Sequence, residues 1–407
     1  MQLAYFEVRH FKVDFPSPAM RGRSDIISHF QTGDSGADSI SNQLLAFRSQ
    51  CRPFGAFFLN GHMSASSSNH SSSSRPAPAV TRTSPRKLWP MDSQLKDIQP
   101  GSGVVIHLEK AWGSVRRCGL RTFRRGYVAR MAACRKGDFN PCPHEVLDPR
   151  DLKFYRNQGG WYWDLHDDPF AWRDRLPFAR VGLAELFLMC GSTKAATLGF
   201  AWWANHSTGA LKVIAILVAV ASAVSCGLIA WFFRNPRRIS PPDPGLVVSP
   251  ADGKIVDIED IPFDDDIGGP AKKIGIFLSI FNVHINRAPI AGRVIGLRYR
   301  PGKCLNALRP ESARENEQLA MLLEENQAPF RGMLVRQITG ALARRIVCWS
   351  KPGDELARGE QFGMIKLGSR TELVLPAEDG LEIRVRLGDK VTAGNSVLAT
   401  YATRIHE

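Results

Sequence analysis

Gly368 and Ser369 stand between two short apolar runs, Met364-Ile365-Lys366-Leu367 and Thr371-Glu372-Leu373-Val374-Leu375. Both runs are strand-like in composition, and the glycine punctuates them. A glycine inside a strand pattern ordinarily marks a bulge or tight bend. The same pair can also do chemistry. Glycine reaches backbone conformations closed to other residues, and the serine after it carries a hydroxyl placed to attack the Gly368 carbonyl. A serine hydroxyl is a weak nucleophile at neutral pH and needs a base. His284 is the natural candidate, and Asp252 could orient it and stabilise its charged form, on the logic of a Ser-His-Asp arrangement. A Gly-Ser pair by itself is too common to decide between bend and nucleophile.

The surroundings of the pair are more specific. Phe362-Gly363-Met364-Ile365-Lys366-Leu367-Gly368-Ser369-Arg370 resembles the cleavage motif of the phosphatidylserine decarboxylases, in the short (type A) form of that family. Further stretches match it in the right order: Phe232-Phe-Arg-Asn-Pro-Arg-Arg238 leading to Ser249-Pro-Ala-Asp-Gly-Lys-Ile255, then Phe281-Asn-Val-His-Ile-Asn-Arg-Ala-Pro-Ile-Ala-Gly-Arg293. Glu315-Asn-Glu317 also fits. The resemblance covers roughly residues 180–407 and leaves the first part of the chain outside it.

The resemblance implies a carboxy-lyase that makes its own cofactor. Ser369 would attack the Gly368 carbonyl, and elimination would leave Gly368 as the new carboxyl end of one chain. Ser369 would become a pyruvoyl group heading the other, so both chains come from one precursor. Phosphatidylserine would form a Schiff base with that group, lose carbon dioxide and leave as phosphatidylethanolamine, the group doing the work of an organic cofactor. Ser369, His284 and Asp252 are the implied catalytic residues. Arg287, Arg293 and Arg370 are candidates to hold the anionic phosphate or carboxylate. One departure concerns the base. The longer family form carries His-x-x-His and uses the second histidine. Counted back from Pro289, His284 here matches the first, and Arg287 occupies the place of the second. Two rival readings are a pyruvoyl-dependent decarboxylase of another amino acid or lipid, and a non-catalytic membrane-tethered barrel-sandwich binding protein.

These residues need elements to position them. The 407-residue chain has room for two or three domains, with a formal charge of +14. A basic balance suits nucleic acid or an anionic membrane surface. The arginines are scattered, with no aromatic-interleaved stripe or nucleic-acid module, which favours the membrane. Eight cysteines are thinly spread and suggest no disulfide scaffold. Cys134, Cys142 and His144 match no standard metal spacing, and no metal is expected.

Residues 1–150 read as a low-order extension. Their apolar periodicity is poor, and Ser64 to Ser74 is nearly a serine run. The basic cluster Arg116, Arg117, Arg121, Arg124 and Arg125 reads as part of a solvated tail, and Met91 and Met131 are alternative starts. Residues 151–238 form a membrane-anchoring region. It opens on the aromatic stretch Trp161-Tyr-Trp163, suited to a water–lipid boundary. Two short apolar runs follow, divided at Gly191-Ser-Thr-Lys194, and suggest an interfacial or marginal segment. Residues 213–233 contain no charge and are long enough to cross a bilayer. Arg234, Arg237 and Arg238 follow at once and hold that end in the cytoplasm. The expected location is a cell membrane, bacterial inner membrane by preference, with a cytoplasmic catalytic domain.

Residues 239–407 form that domain, mainly β (α+β). Strand patterns recur at 253–258, 273–281, 293–299, 333–339 and 343–349, while 312–326 reads as helix, with a capping box from Ser312 to Glu315. Asp264, Asp265 and Asp266 read as a solvated turn. Pro352-Gly-Asp-Glu-Leu-Ala-Arg-Gly-Glu360 and Leu387-Gly-Asp-Lys-Val-Thr-Ala-Gly-Asn395 share one turn pattern. It resembles the repeated turn of biotinyl and lipoyl carrier-like barrel-sandwich folds. The resemblance implies phosphatidylserine in an anionic membrane as the partner, excludes nucleic acid and leaves homo-oligomerisation open.

Overall fold

Beyond residue 245 the β-branched and apolar stretches become strands, as a mainly β domain requires. The structure, a computed structural model, describes residues 82–100, 104–140, 142–155, 160–307, 309, 311–341, 345–366 and 368–402. The serine run lies outside the described residues. In chain order the helices before the sheets are α1 (Val104–Phe123), α2 (Arg125–Cys134), α3 (Leu183–Asn205) and α4 (Gly209–Phe232). The strands begin with β1 (Leu246–Val248), β2 (Gly253–Asp264), β3 (Gly269–Leu278), β4 (Ile285–Arg287) and β5 (Gly292–Arg300). A short helix, α5 (Ser312–Glu315), precedes β6 (Gln318–Glu324), β7 (Gly332–Ile338), β8 (Arg345–Cys348) and β9 (Glu355–Leu356). The last are β10 (Gln361–Lys366), β11 (Ser369–Pro376), β12 (Leu381–Ile383), β13 (Lys390–Val391) and β14 (Val397–Tyr401).

The largest sheet runs β13-β2-β3-β11-β7-β6-β5-β9, and two smaller ones run β4-β10-β8 and β1-β14-β12. Its middle strands are covered on both faces. Leu319, Met321 and Leu323 enter the main core with Ile274, Ile276 and Leu373. Leu322, Leu334 and Val374 pack on the opposite side. This double burial corrects the expectation of a helix over 312–326. Only Ser312–Glu315 is helical, its N-cap is Glu311 with no side-chain cap, and the rest forms β6. A strand buried on both faces loses its period-two alternation, and its leucines then mimic helical spacing.

The two similar turns adopt matching backbones: φ is 92° at Gly353 and 95° at Gly388, then 76° at Gly359 and 74° at Gly394. The Asp264 turn is not simply solvated. Asp264 is buried, accepts the Asp266 and Ile267 N–H groups, and pairs with Arg336 at 3.0 Å.

Two findings change the reading of the N-terminal half. First, residues 82–150 contain packed structure. Leu95 joins the main core, Ile98 accepts the Cys348 N–H, and the Trp89 N–H donates to Ile295. A methyl group added at Gly296 would strike the Trp89 ring. Arg116 and Arg117 are not a loose basic tail; they pair with the buried carboxylates of Asp148 and Asp151. Second, the two short apolar runs after residue 181 join into one continuous helix, α3, which packs along α4. The ends of this hairpin are tied together: Ala179 N–H donates to Phe233, and Asn235 N–H to Pro177, both at 2.8 Å.

Candidate active site

Gly368 sits where the chain leaves the three-stranded sheet at the end of β10 and enters the largest sheet as β11. Ser369 pairs with Leu278 of β3. Moving between sheets demands an unusual backbone, and Gly368 takes φ +57°, the left-handed region that glycine tolerates best. A methyl group on Gly340 would come within 2.3 Å of the Gly368 carbonyl oxygen, so that carbonyl is seated against a residue with no side chain. Ser369 is fully buried, and its Oγ has no hydrogen-bond partner. A buried hydroxyl left unpaired costs free energy.

His284 precedes β4 and is fully buried against the Phe232 ring, 4.6 Å between centres. Its Nδ1 lies 2.9 Å from the Asn282 carbonyl oxygen, an acceptor that fixes the proton on Nδ1. Its Nε2 accepts the Gly368 N–H at 3.2 Å. The lone pair of a neutral imidazole is therefore aimed at the Gly368–Ser369 step. Burial pushes the His284 pKa down to about 4, against opposing pulls from the Asn282 carbonyl and Asp252 and with a further push from Arg234. The ring is neutral at physiological pH, and its one lone pair, on Nε2, is engaged by the Gly368 N–H.

The other expected residues divide. Asp252 is buried, but its carboxylate binds Arg238 and the Ala393 N–H rather than His284. It acts on the imidazole only through space. Arg287 is buried, donates to the Gly359 and Pro236 carbonyls and lines a cavity separate from Gly368. Arg370 is consumed by Glu372 at 2.9 Å and Asp257 at 2.8 Å. Arg293 lies on β5, three strands from β11, and donates to the Arg86 carbonyl. The structure thus brings Gly368, Ser369 and His284 together and leaves Arg293 apart.

Sequence reasoning missed two groups. Asn286, Thr371 and Gln337 form a fully buried polar network linking β4, β11 and β7 beside the site. The only sequence signal was an asparagine next to an arginine in the histidine stretch. The second group is Glu185, which binds Lys366 and, at 3.4 Å, Arg345. Burial lowers the Lys366 pKa, opposed by Glu185. Lys366 and Arg345 line an apolar cavity of about 590 Å³ between the hairpin and the sheets, together with Leu228, Phe232, Ile280 and Phe281. Ile280, one wall of this cavity, lies 4.0 Å from where a methyl group on Gly368 would sit. A glutamate on an apolar helix pointed to a partner, but not to which one.

A family model for phosphatidylserine decarboxylase matches residues 227–399. A phosphatidylserine decarboxylase proenzyme of Rhodopirellula baltica is 54% identical over 252 residues, 61% of this chain and 99% of the relative. The chain belongs to the phosphatidylserine decarboxylase family. Proenzymes of the same name from Syntrophus aciditrophicus and Ruegeria pomeroyi are 42% and 44% identical over 188 and 197 residues. These cover 46% and 47% of this chain and 84% and 88% of the relatives. The family depends on a pyruvoyl group made by the proenzyme from itself. The residues present fit such a group: an unpaired buried hydroxyl, a left-handed glycine before it and a neutral imidazole at that glycine.

Proposed function

We infer that the chain decarboxylates phosphatidylserine to phosphatidylethanolamine after cutting itself between Gly368 and Ser369. The observation that carries this reading is the buried, unpartnered Ser369 Oγ next to left-handed Gly368, whose N–H is held by His284. Ser369 Oγ attacks the Gly368 carbonyl carbon and passes its proton to His284 Nε2. The acyl group moves from nitrogen to oxygen, giving an ester. Removal of the Ser369 α-proton then expels the Gly368 carboxylate. Water replaces the nitrogen at position 369, ammonia leaves, and a pyruvoyl group remains. Asp252 contributes by anchoring Arg238 and by its charge, not by a bond to the imidazole.

In decarboxylation the pyruvoyl group supplies an electron sink for the pair released as carbon dioxide departs. The chain's own residues bind and orient the lipid. The apolar cavity takes the acyl side, while Arg345 and Lys366 offer cations to the phosphate or carboxylate. They suit that task better than Arg370 or Arg293, neither of which lines the cavity.

The hairpin α3–α4 supplies membrane access. Both helices are long and apolar enough to cross a bilayer. Residues before α3 and after α4 share one core, so both ends of the hairpin belong on one side of the membrane. This revises the single span at 213–233 to a two-helix insertion. Arg234, Arg237 and Arg238 favour the cytoplasmic side for the catalytic domain. The matched glycine turns support a barrel-sandwich arrangement of the domain.

The test is an amine-product assay of the purified protein in mixed micelles with phosphatidylserine or free serine. Phosphatidylethanolamine should form from the lipid, no ethanolamine from free serine, and neither in Ser369→Ala. Turnover of free serine alone would favour the other decarboxylase reading.

A further inference from the structure

A second cavity, of about 710 Å³, lies beside β4 and shares no lining residue with the apolar one. It is bounded by Arg150 and Arg173 from the segment before α3, by Asn235 just after α4, by Ile285 and Arg287 of β4, and by Trp349 just after β8. None of the groups that touch Gly368 lines it: His284, Ile280 and Gly340 all lie elsewhere.

The charge around this cavity is lopsided. Lys153 is neutralised by Glu109 at 2.5 Å and Arg180 by Asp174 at 2.7 Å. Glu360 is exposed and caps the Ala357 N–H. Arg150, Arg173 and Arg287 remain, and none of them forms an ion pair among the described residues. The Arg150 and Arg173 guanidiniums lie over the Phe170 ring, 5.4 and 4.6 Å from its centre. Arg287 donates to two neutral carbonyls at 2.8 and 3.2 Å, and the carboxylate that acts on it through space, Asp252, is already paired with Arg238. Burial, then Arg150 and Arg180, lower the Arg173 pKa against weaker upward pulls from Asp168 and Asp148; burial and Arg238 lower that of Arg287 against Asp252. Gathering half-buried like charges costs free energy unless an anion completes the set. Guanidinium forks match phosphate oxygens in particular.

The position narrows the ligand. The backbone bonds that tie Ala179 to Phe233 and Asn235 to Pro177 place the cavity at the foot of the hairpin. If the hairpin enters a bilayer, as read above, that foot is at headgroup level. We propose that this cavity binds a phosphate group, supplied by an anionic phospholipid that is held at the foot of the hairpin and does not react. It is separate from the site where phosphatidylserine is decarboxylated.

The test uses the full chain as uncut Ser369→Ala protein in detergent, so its outcome does not depend on the chemistry at position 369. Calorimetric titrations are run with short-chain phosphatidylglycerol, with inorganic phosphate, and with phosphatidylcholine as a zwitterionic control. Phosphatidylglycerol should bind saturably at one site and more tightly than the control. Arg150→Gln/Arg173→Gln should weaken it at least about tenfold, the scale of losing one charge-assisted hydrogen bond. Saturable binding of inorganic phosphate but not of the lipid would keep the phosphate site and overturn its lipid source. Absence of saturable binding by either, or unchanged binding in the double variant, would overturn the site. Arg173→Gln alone serves if the double variant does not fold, and it must show a loss in the same direction.

Discussion

At the scale of single residues, the proposed self-cleavage rests on a neutral imidazole and an unpaired hydroxyl. The tautomer follows from two contacts, the Asn282 carbonyl at Nδ1 and the Gly368 N–H at Nε2. Replacing His284 by Gln should slow self-cleavage by at least about a hundredfold, the lower range for a general base, as read from the ratio of cut to uncut chain. The depressed pKa also has a consequence for stability. Unfolded, His284 would titrate near its ordinary value of 6.5; folded, it titrates at about 4. The unfolded state therefore binds more protons between those values. Its contribution is intact above pH 6.5 and is lost as pH falls toward 4, by about 3 kcal/mol at most. The Tm of Ser369→Ala protein should accordingly fall over that window, and fall less in Ser369→Ala/His284→Gln. Equal slopes in the two proteins would show that the imidazole is not the group responsible.

At the scale of elements, the join between β10 and β11 sets the geometry. The Gly368 carbonyl rests on Gly340, just after β7, so Gly340→Ala should push it aside. Cleavage should slow markedly while the sheets persist, checked by gel and by far-ultraviolet circular dichroism. Much of this join was legible in the sequence. Glycine between two apolar runs announced the special backbone seen at Gly368, and the motif around Ser369 pointed to the family. The histidine stretch gave His284 but not its contacts, because Asp252 is 32 positions away in the chain and Arg238 competes for it. β6 was misread for a physical reason: with both faces buried, Leu319, Leu322 and Leu323 carry no alternation. Asn286, Thr371 and Gln337 could not have been foreseen as a unit, since pairing of β11 with β7 and side-chain bonds between two different sheets bring them together.

At the scale of the molecule, the segment before the hairpin belongs to the catalytic core. Its poor periodicity hid this, because it packs through isolated anchors such as Trp89, Leu95 and Ile98 rather than through one helical face. Leu95→Ala should therefore destabilise the whole domain by about 2–5 kcal/mol, the usual cost of a buried leucine. A denaturant midpoint equal to that of the parent would place the segment outside the core. Glu185 of the hairpin is tied to Lys366 of β10, and Lys366 and Phe281 line the apolar cavity with hairpin residues such as Leu228 and Phe232. All of this rests on the chain converting Ser369 into its own reactive group. The most direct measurement is intact-mass spectrometry of the purified protein. The account predicts two chains parted between Gly368 and Ser369, with the second lighter by one ammonia than a serine-headed chain and reactive toward carbonyl reagents. An active protein with the 368–369 bond intact, or a second chain that begins with ordinary serine, would contradict it.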